Sequence, residues 1–98
     1  MEQFDKISGF DWDQGNKQKN SIKHGVEQVE AEQVFLNEPL IVLEDQKHSH
    51  AEPRFHALGQ TDAGRQLHIT FTIRGHMVRV ISARDMHRKE HVIYEKAS

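Results

Sequence analysis

Histidine is the residue type in excess: eight of the 98 residues are histidine and none is cysteine. Disulfides, thiolate nucleophiles and cysteine-ligated zinc are therefore excluded, and chemistry must come from imidazoles, guanidinium or ammonium groups, carboxylates or hydroxyls. His48 and His50, separated by one residue, set two imidazoles near each other in a polar stretch. His87 and His91 have the i, i+4 spacing of one helix face. Both spacings suit a metal ion as well as proton transfer. No HExxH accompanies them and carboxylates at usable spacing are few, so general acid–base work by His50 is the favoured reading and no metal is expected. No Walker loop, Rossmann glycine pattern, GxSxG elbow or EF-hand loop occurs, and no cofactor is expected.

Arginines on strand-like segments are the second candidate group. Arg79 lies between Met77 and Ile81 on one face of its strand, where a guanidinium is costly unless paired or wetted. It suits either a structural salt bridge to a carboxylate or a phosphate held by its planar fork of donors. Arg54 and His56 share a face of another strand, and Arg84 stands near the end of the segment that holds Arg79. With Lys23 these residues can form an anion-binding floor.

The elements that must position them follow from periodicity. Residues 8–12 suit a short strand, and Asp13 is an N-cap candidate for a helix ending at Gly25, with Lys23 and His24 at its negative dipole end. A second helix over residues 27–37 gathers Ala31, Val34 and Phe35 on one face, leaves Val29 and Leu36 off it, and stops at Pro39. The apolar run Leu40 to Leu43 reads as a strand covered on both faces, followed by a polar loop to Pro53. Residues 54–60 form a third strand, and residues 61–64 a hairpin loop. In the next strand Leu67, Ile69, Phe71 and Ile73 alternate with His68, Thr70, Thr72 and Arg74, the period of a sheet with one buried face. A fifth strand covers Met77 to Arg84, and Asp85 is read as the cap of a helix from His87 to Lys96. This order predicts an α+β domain: a mainly antiparallel sheet packed on an N-terminal helical hairpin, with a short C-terminal helix.

Composition sets the scale. With 36% hydrophobic and 29% charged residues, the chain suits one domain over residues 1–98. No apolar run reaches the roughly 18 to 20 residues of a membrane span. Met-Glu-Gln-Phe-Asp lacks the start of a signal peptide, so a cytoplasmic location is expected, with no membrane partner. The net charge of -2 hides an asymmetry. Residues 26–45 hold six acids and no Lys or Arg, whereas residues 65–98 hold seven Lys or Arg against three acids. Either one surface is basic or the two stretches neutralise each other in the fold.

Read in order, Phe10-Asp11-Trp12-Asp13, Lys23-His24-Gly25-Val26, Val34-Phe35, Asp45, His48-Ser49-His50, Glu52, Arg54-Phe55, Gly59, Arg79-Val80-Ile81-Ser82-Ala83-Arg84, Glu90 and Tyr94 resemble the BrnT family of bacterial type II toxin-antitoxin toxins. The resemblance spans about residues 10 to 95. It implies a RelE-like fold and a ribonuclease that arrests translation. It further implies neutralisation by a BrnA-type antitoxin, whose ribbon-helix-helix part binds the operon's operator DNA, so that DNA is reached only through the antitoxin and an oligomer with it forms.

RNA cleavage without a metal needs a base for the 2′-hydroxyl, cations for the phosphorane and an acid for the 5′-oxygen, with contributions of typically ~10²- to 10⁴-fold from each proton transfer. Arg79 and Arg54 are assigned to the phosphate, His50 or Glu52 to proton transfer, and Lys23 and Arg84 to the RNA backbone. Trp12 is either a base-stacking platform or a core aromatic. Two other classes remain open: a toxin that binds and inhibits a target such as DNA gyrase, and a non-catalytic interaction domain.

Overall fold

The alternation in residues 66–74 does place one dry and one wet face on a sheet, and the rest of the chain is arranged around that division. The computed structural model describes residues 8–12, 25–48 and 52–97. The elements in chain order are β1 (Gly9–Phe10), α1 (Gln28–Leu36), β2 (Ile41–Glu44), a 3-10 turn at Gln46–His48, β3 (Arg54–Gln60), β4 (Gln66–Arg74), β5 (Met77–Asp85) and α2 (Arg88–Ala97). They form a five-stranded sheet in the order β1-β5-β4-β3-β2, antiparallel throughout except that β1 runs parallel to β5. The helix expected between Asp13 and Gly25 lies outside the described residues. Gly25 itself has φ of +65°, a left-handed conformation that favours glycine.

The core lies between α1 and the dry face. Ala31 and Val34 of α1 meet Phe55 and Ala57 of β3, Leu67, Ile69 and Phe71 of β4, and Val78, Val80 and Ala83 of β5, all nearly inaccessible. Val29 and Leu36 are exposed, as their place off the apolar stripe predicts. The helix approaches the sheet closely at Gly59, where a Cβ would meet Val34 Cγ1 at 2.6 Å. Only a residue without a side chain fits there. Glu27 caps α1 through a capping box in which the Glu30 carboxylate accepts from the Glu27 amide at 3.0 Å.

Three expectations are corrected. Ile41–Glu44 is an edge strand rather than one covered on both faces, and Leu43 is exposed. Run length cannot tell an edge strand from a central one. Asp85 does not cap the last helix: it ends β5, and its carboxylate accepts two hydrogen bonds from Arg65, at 2.7 and 3.0 Å. The N-terminal contact of α2 comes instead from Glu90, whose carboxylate accepts from the His87 amide at 2.8 Å. Ile81 does not continue the face of Arg79 either. The register shifts from Thr70↔Ser82 to Phe71↔Val80, so Ile81 is the extra residue of a bulge and Ser82 takes the place opposite Thr70.

On the wet face α2 covers one end of the sheet. Tyr94, Met86, Leu58 and Ile41 form a second small apolar cluster there, and the Tyr94 hydroxyl donates to the Pro39 carbonyl at 2.7 Å. The opposite end of that face carries polar and charged side chains.

Candidate functional site

Register decides which of those side chains can meet. Arg54, Thr72 and Arg79 are direct cross-strand neighbours on β3, β4 and β5. His56, Thr70 and Ser82 form the next row, and Leu58, His68 and Arg84 the row after. Residues opposite each other across a ladder point to the same side, and successive rows on one face are about 7 Å apart. Two guanidinium groups thus flank the central strand, with imidazoles one and two rows away.

Arg79 is half-buried, and its Nη1 lies 3.6 Å from Asp11 Oδ2, beyond hydrogen-bond range and opposite a carboxylate that is 41% exposed. This is an ion pair in contact with water, longer than a hydrogen bond. Glu52 is bound by Arg74 through two hydrogen bonds of 2.7 and 3.0 Å. That bonding holds the Glu52 carboxyl below the usual carboxylate range, with a smaller contribution from the charge of Arg79. Glu52 is therefore ionised at neutral pH and has no proton to give. Arg84 makes a bidentate pair with Glu90 at 2.8 and 3.0 Å, which ties the end of β5 to the first turn of α2. Its donors are largely committed to that junction, so it is less suited to an RNA phosphate than Arg79. Glu90 in turn is pulled down to about 2 by Arg84.

Trp12 is on the other side of the sheet. It packs against the core, and its Nε1 donates to Glu32 Oε2 of α1 at 2.7 Å, the geometry of the core-aromatic alternative. Lys23 and His50 lie outside the described residues.

Sequence reasoning put His56 on the same face as Arg54 but missed what surrounds it. His56 Nε2 is 2.8 Å from Asp45 Oδ2, and Nδ1 is 3.2 Å from Thr70 Oγ1. The ring stands 4.9 Å from that of His68, tilted by 36°. Asp45 is the more buried partner, 12% exposed against 32% for the imidazole. His68 is held neutral: burial first, and then the charge of Arg84, pushes it down to about 4. Its Nδ1 is buried with no hydrogen-bond partner among the described residues. The only sequence signal was the polar phase of β3 and β4, which places His56 and His68 on the wet face without showing their partners.

A sheet face that carries arginines and imidazoles in neighbouring rows, backed by a helix-covered core, defines a small α+β domain with a polar, partly cationic sheet surface. The sequence model of the family described as the ribonuclease toxin BrnT of type II toxin-antitoxin systems matches residues 12–90, and the chain belongs to that family. Its fold is similar to the 1.1 Å crystal structure of the Brucella abortus ribonuclease toxin BrnT, with a TM-score of 0.65 and 24% identity over 84% of this chain and 100% of that one. No curated protein matches the sequence. Membership of a type II system implies an antitoxin partner.

Proposed function

We propose that the chain is an endoribonuclease that arrests translation in the cytoplasm, folded as a single RelE-like domain over residues 1–98. It cleaves RNA by in-line attack of the 2′-hydroxyl without a metal. The observation that carries this reading is the row Arg54–Thr72–Arg79, two guanidinium groups flanking the central strand of a polar sheet face. Arg54 and Arg79 bind the scissile phosphate and stabilise the charge that develops on it. His50 supplies proton transfer. Glu52, held ionised by Arg74, can only accept a proton and also orders the cationic rim. Lys23 adds charge along the RNA, with Arg84 the weaker contributor. A BrnA-type antitoxin covers this surface, assembles with the toxin into an oligomer, and carries the operator-DNA contact through its ribbon-helix-helix part.

The test is cleavage of RNA by the purified protein in EDTA. Cleavage should persist and leave 2′,3′-cyclic phosphate ends, as attack by the 2′-hydroxyl requires. Activity abolished by EDTA and restored by zinc would overturn the metal-free mechanism, and no cleavage at all would return the chain to a target-binding toxin.

A further inference from the structure

We infer that His56, oriented by Asp45, is a second proton-transfer residue of this site and takes the 2′-hydroxyl proton; the inference rests on the ribonuclease reading. Three observations meet here. The imidazole lies on β3 on the same face as Arg54 and one row away, about 7 Å, so a phosphate held at the arginine row puts its neighbouring ribose over the next one. The ring is oriented from both sides, by Asp45 at Nε2 and Thr70 at Nδ1, and remains 32% exposed. The neutral His68 ring lies beside it, 4.9 Å away and tilted by 36°, and limits its swing.

The Asp45 contact fixes the tautomer. A carboxylate at Nε2 holds a proton there, which leaves the Nδ1 lone pair directed to the middle of the sheet, where the Thr70 hydroxyl occupies it. An RNA 2′-hydroxyl entering over Thr70 takes the hydroxyl's place. Its proton passes to Nδ1, the O2′–P bond forms, the P–O5′ bond breaks, and the 5′-oxygen takes a proton from water. The products are a 2′,3′-cyclic phosphate and a 5′-hydroxyl, and water removes the proton from the imidazolium to close the cycle. Asp45 touches no reacting atom and is a positioning residue: it orients the ring and stabilises the imidazolium. The charged and titratable groups around the pair are Asp45 from the β2–β3 connection, Arg54 on the same strand, His68 on β4, and, beyond His68, Arg84 on β5 and Glu90 on α2.

The experiment measures kcat and KM for a short oligoribonucleotide from pH 5 to 9, in wild type, His56→Gln, His56→Ala with and without added imidazole, Asp45→Asn and Arg79→Ala, each with its melting curve. His56→Gln should lose about 100-fold in kcat with KM changed by less than about threefold. Imidazole should restore part of the activity of His56→Ala. Asp45→Asn should lose about tenfold in kcat with KM changed by less than about threefold, because the ring is no longer held in one orientation and tautomer. Wild-type kcat in His56→Gln, or a loss in both His56 variants that imidazole does not relieve, overturns the assignment. If wild type cleaves and Arg79→Ala is impaired while the His56 variants are not, this inference alone fails; a wild type that does not cleave removes the ribonuclease reading and the inference with it.

Discussion

Arg79 is the residue whose loss separates scaffold from site. A buried structural arginine strands a carboxylate when truncated, at a cost of roughly 3 to 5 kcal/mol. Asp11, its carboxylate neighbour at 3.6 Å, is 41% exposed and can be rehydrated. Arg79→Ala should therefore change stability by no more than about 1 kcal/mol while RNA cleavage falls about 100-fold or more. Arg79→Lys should recover only part of the cleavage, since a point charge cannot reproduce a bidentate fork. Melting curves and cleavage rates of both variants check this, and full cleavage by a cooperatively melting Ala variant would remove Arg79 from the site. That Arg79 sits on a wet face was legible in its alternation with Val78 and Val80. That it pairs with Asp11 was not, because the contact joins residues at opposite ends of the sequence.

At the scale of elements, the junction of β4, β5 and α2 couples folding to pH. His68, with a side chain only 12% exposed, titrates near 4 in the folded protein against an ordinary 6.5. The unfolded chain accepts that proton first, so the folded state loses stability as pH falls from about 6.5 to about 4. The ceiling for such a shift is on the order of 3 kcal/mol. Glu90 acts below that range. Its carboxylate, lowered from 4.5 to about 2, contributes stability that is present above pH 4.5 and is lost as pH falls through about 2. The melting temperature should decline between pH 6.5 and 4, and His68→Gln should flatten that part of the curve. An unchanged decline in the variant would assign it to other groups. The β4 alternation that puts His68 on the face opposite the core was readable because a strand presents every second residue to one side. The bulge at Ile81 and the edge position of β2 were not, since both depend on which strand lies alongside. The Asp45–His56 contact likewise depends on how the connection between β2 and β3 closes.

Over the whole molecule, the opposition between an acidic segment and a basic segment is partly resolved internally. Arg65, from the basic stretch, donates to Glu30 of the acidic one at 3.1 Å while also binding Asp85. Arg74 and Arg84 have carboxylate partners too. Among the described residues no helix is long and apolar enough to cross a membrane. Long-range attraction between toxin and antitoxin should consequently be moderate. The association rate constant should fall about tenfold between 50 and 500 mM salt, and Arg79→Ala should reduce both the rate and its salt dependence. Stopped-flow mixing with the antitoxin measures both quantities, and rates indifferent to salt and to the substitution would place the antitoxin on another surface.

The division of the sheet into a dry face under α1 and a wet face with the arginine row has a genetic consequence. Along β4, Leu67, Ile69 and Phe71 are buried in the core while His68, Thr70 and Thr72 lie on the other side. Survivors selected for loss of toxicity would arise at both sets, and growth alone would score them alike. Scored for the amount of toxin that accumulates or that the antitoxin retains, the same alleles would split: those at Leu67, Ile69 and Phe71 empty the cell of folded toxin, and those at the part-exposed Thr70 leave an inert toxin that still occupies its antitoxin. Alleles of the second kind would act in trans, drawing antitoxin away from an active copy.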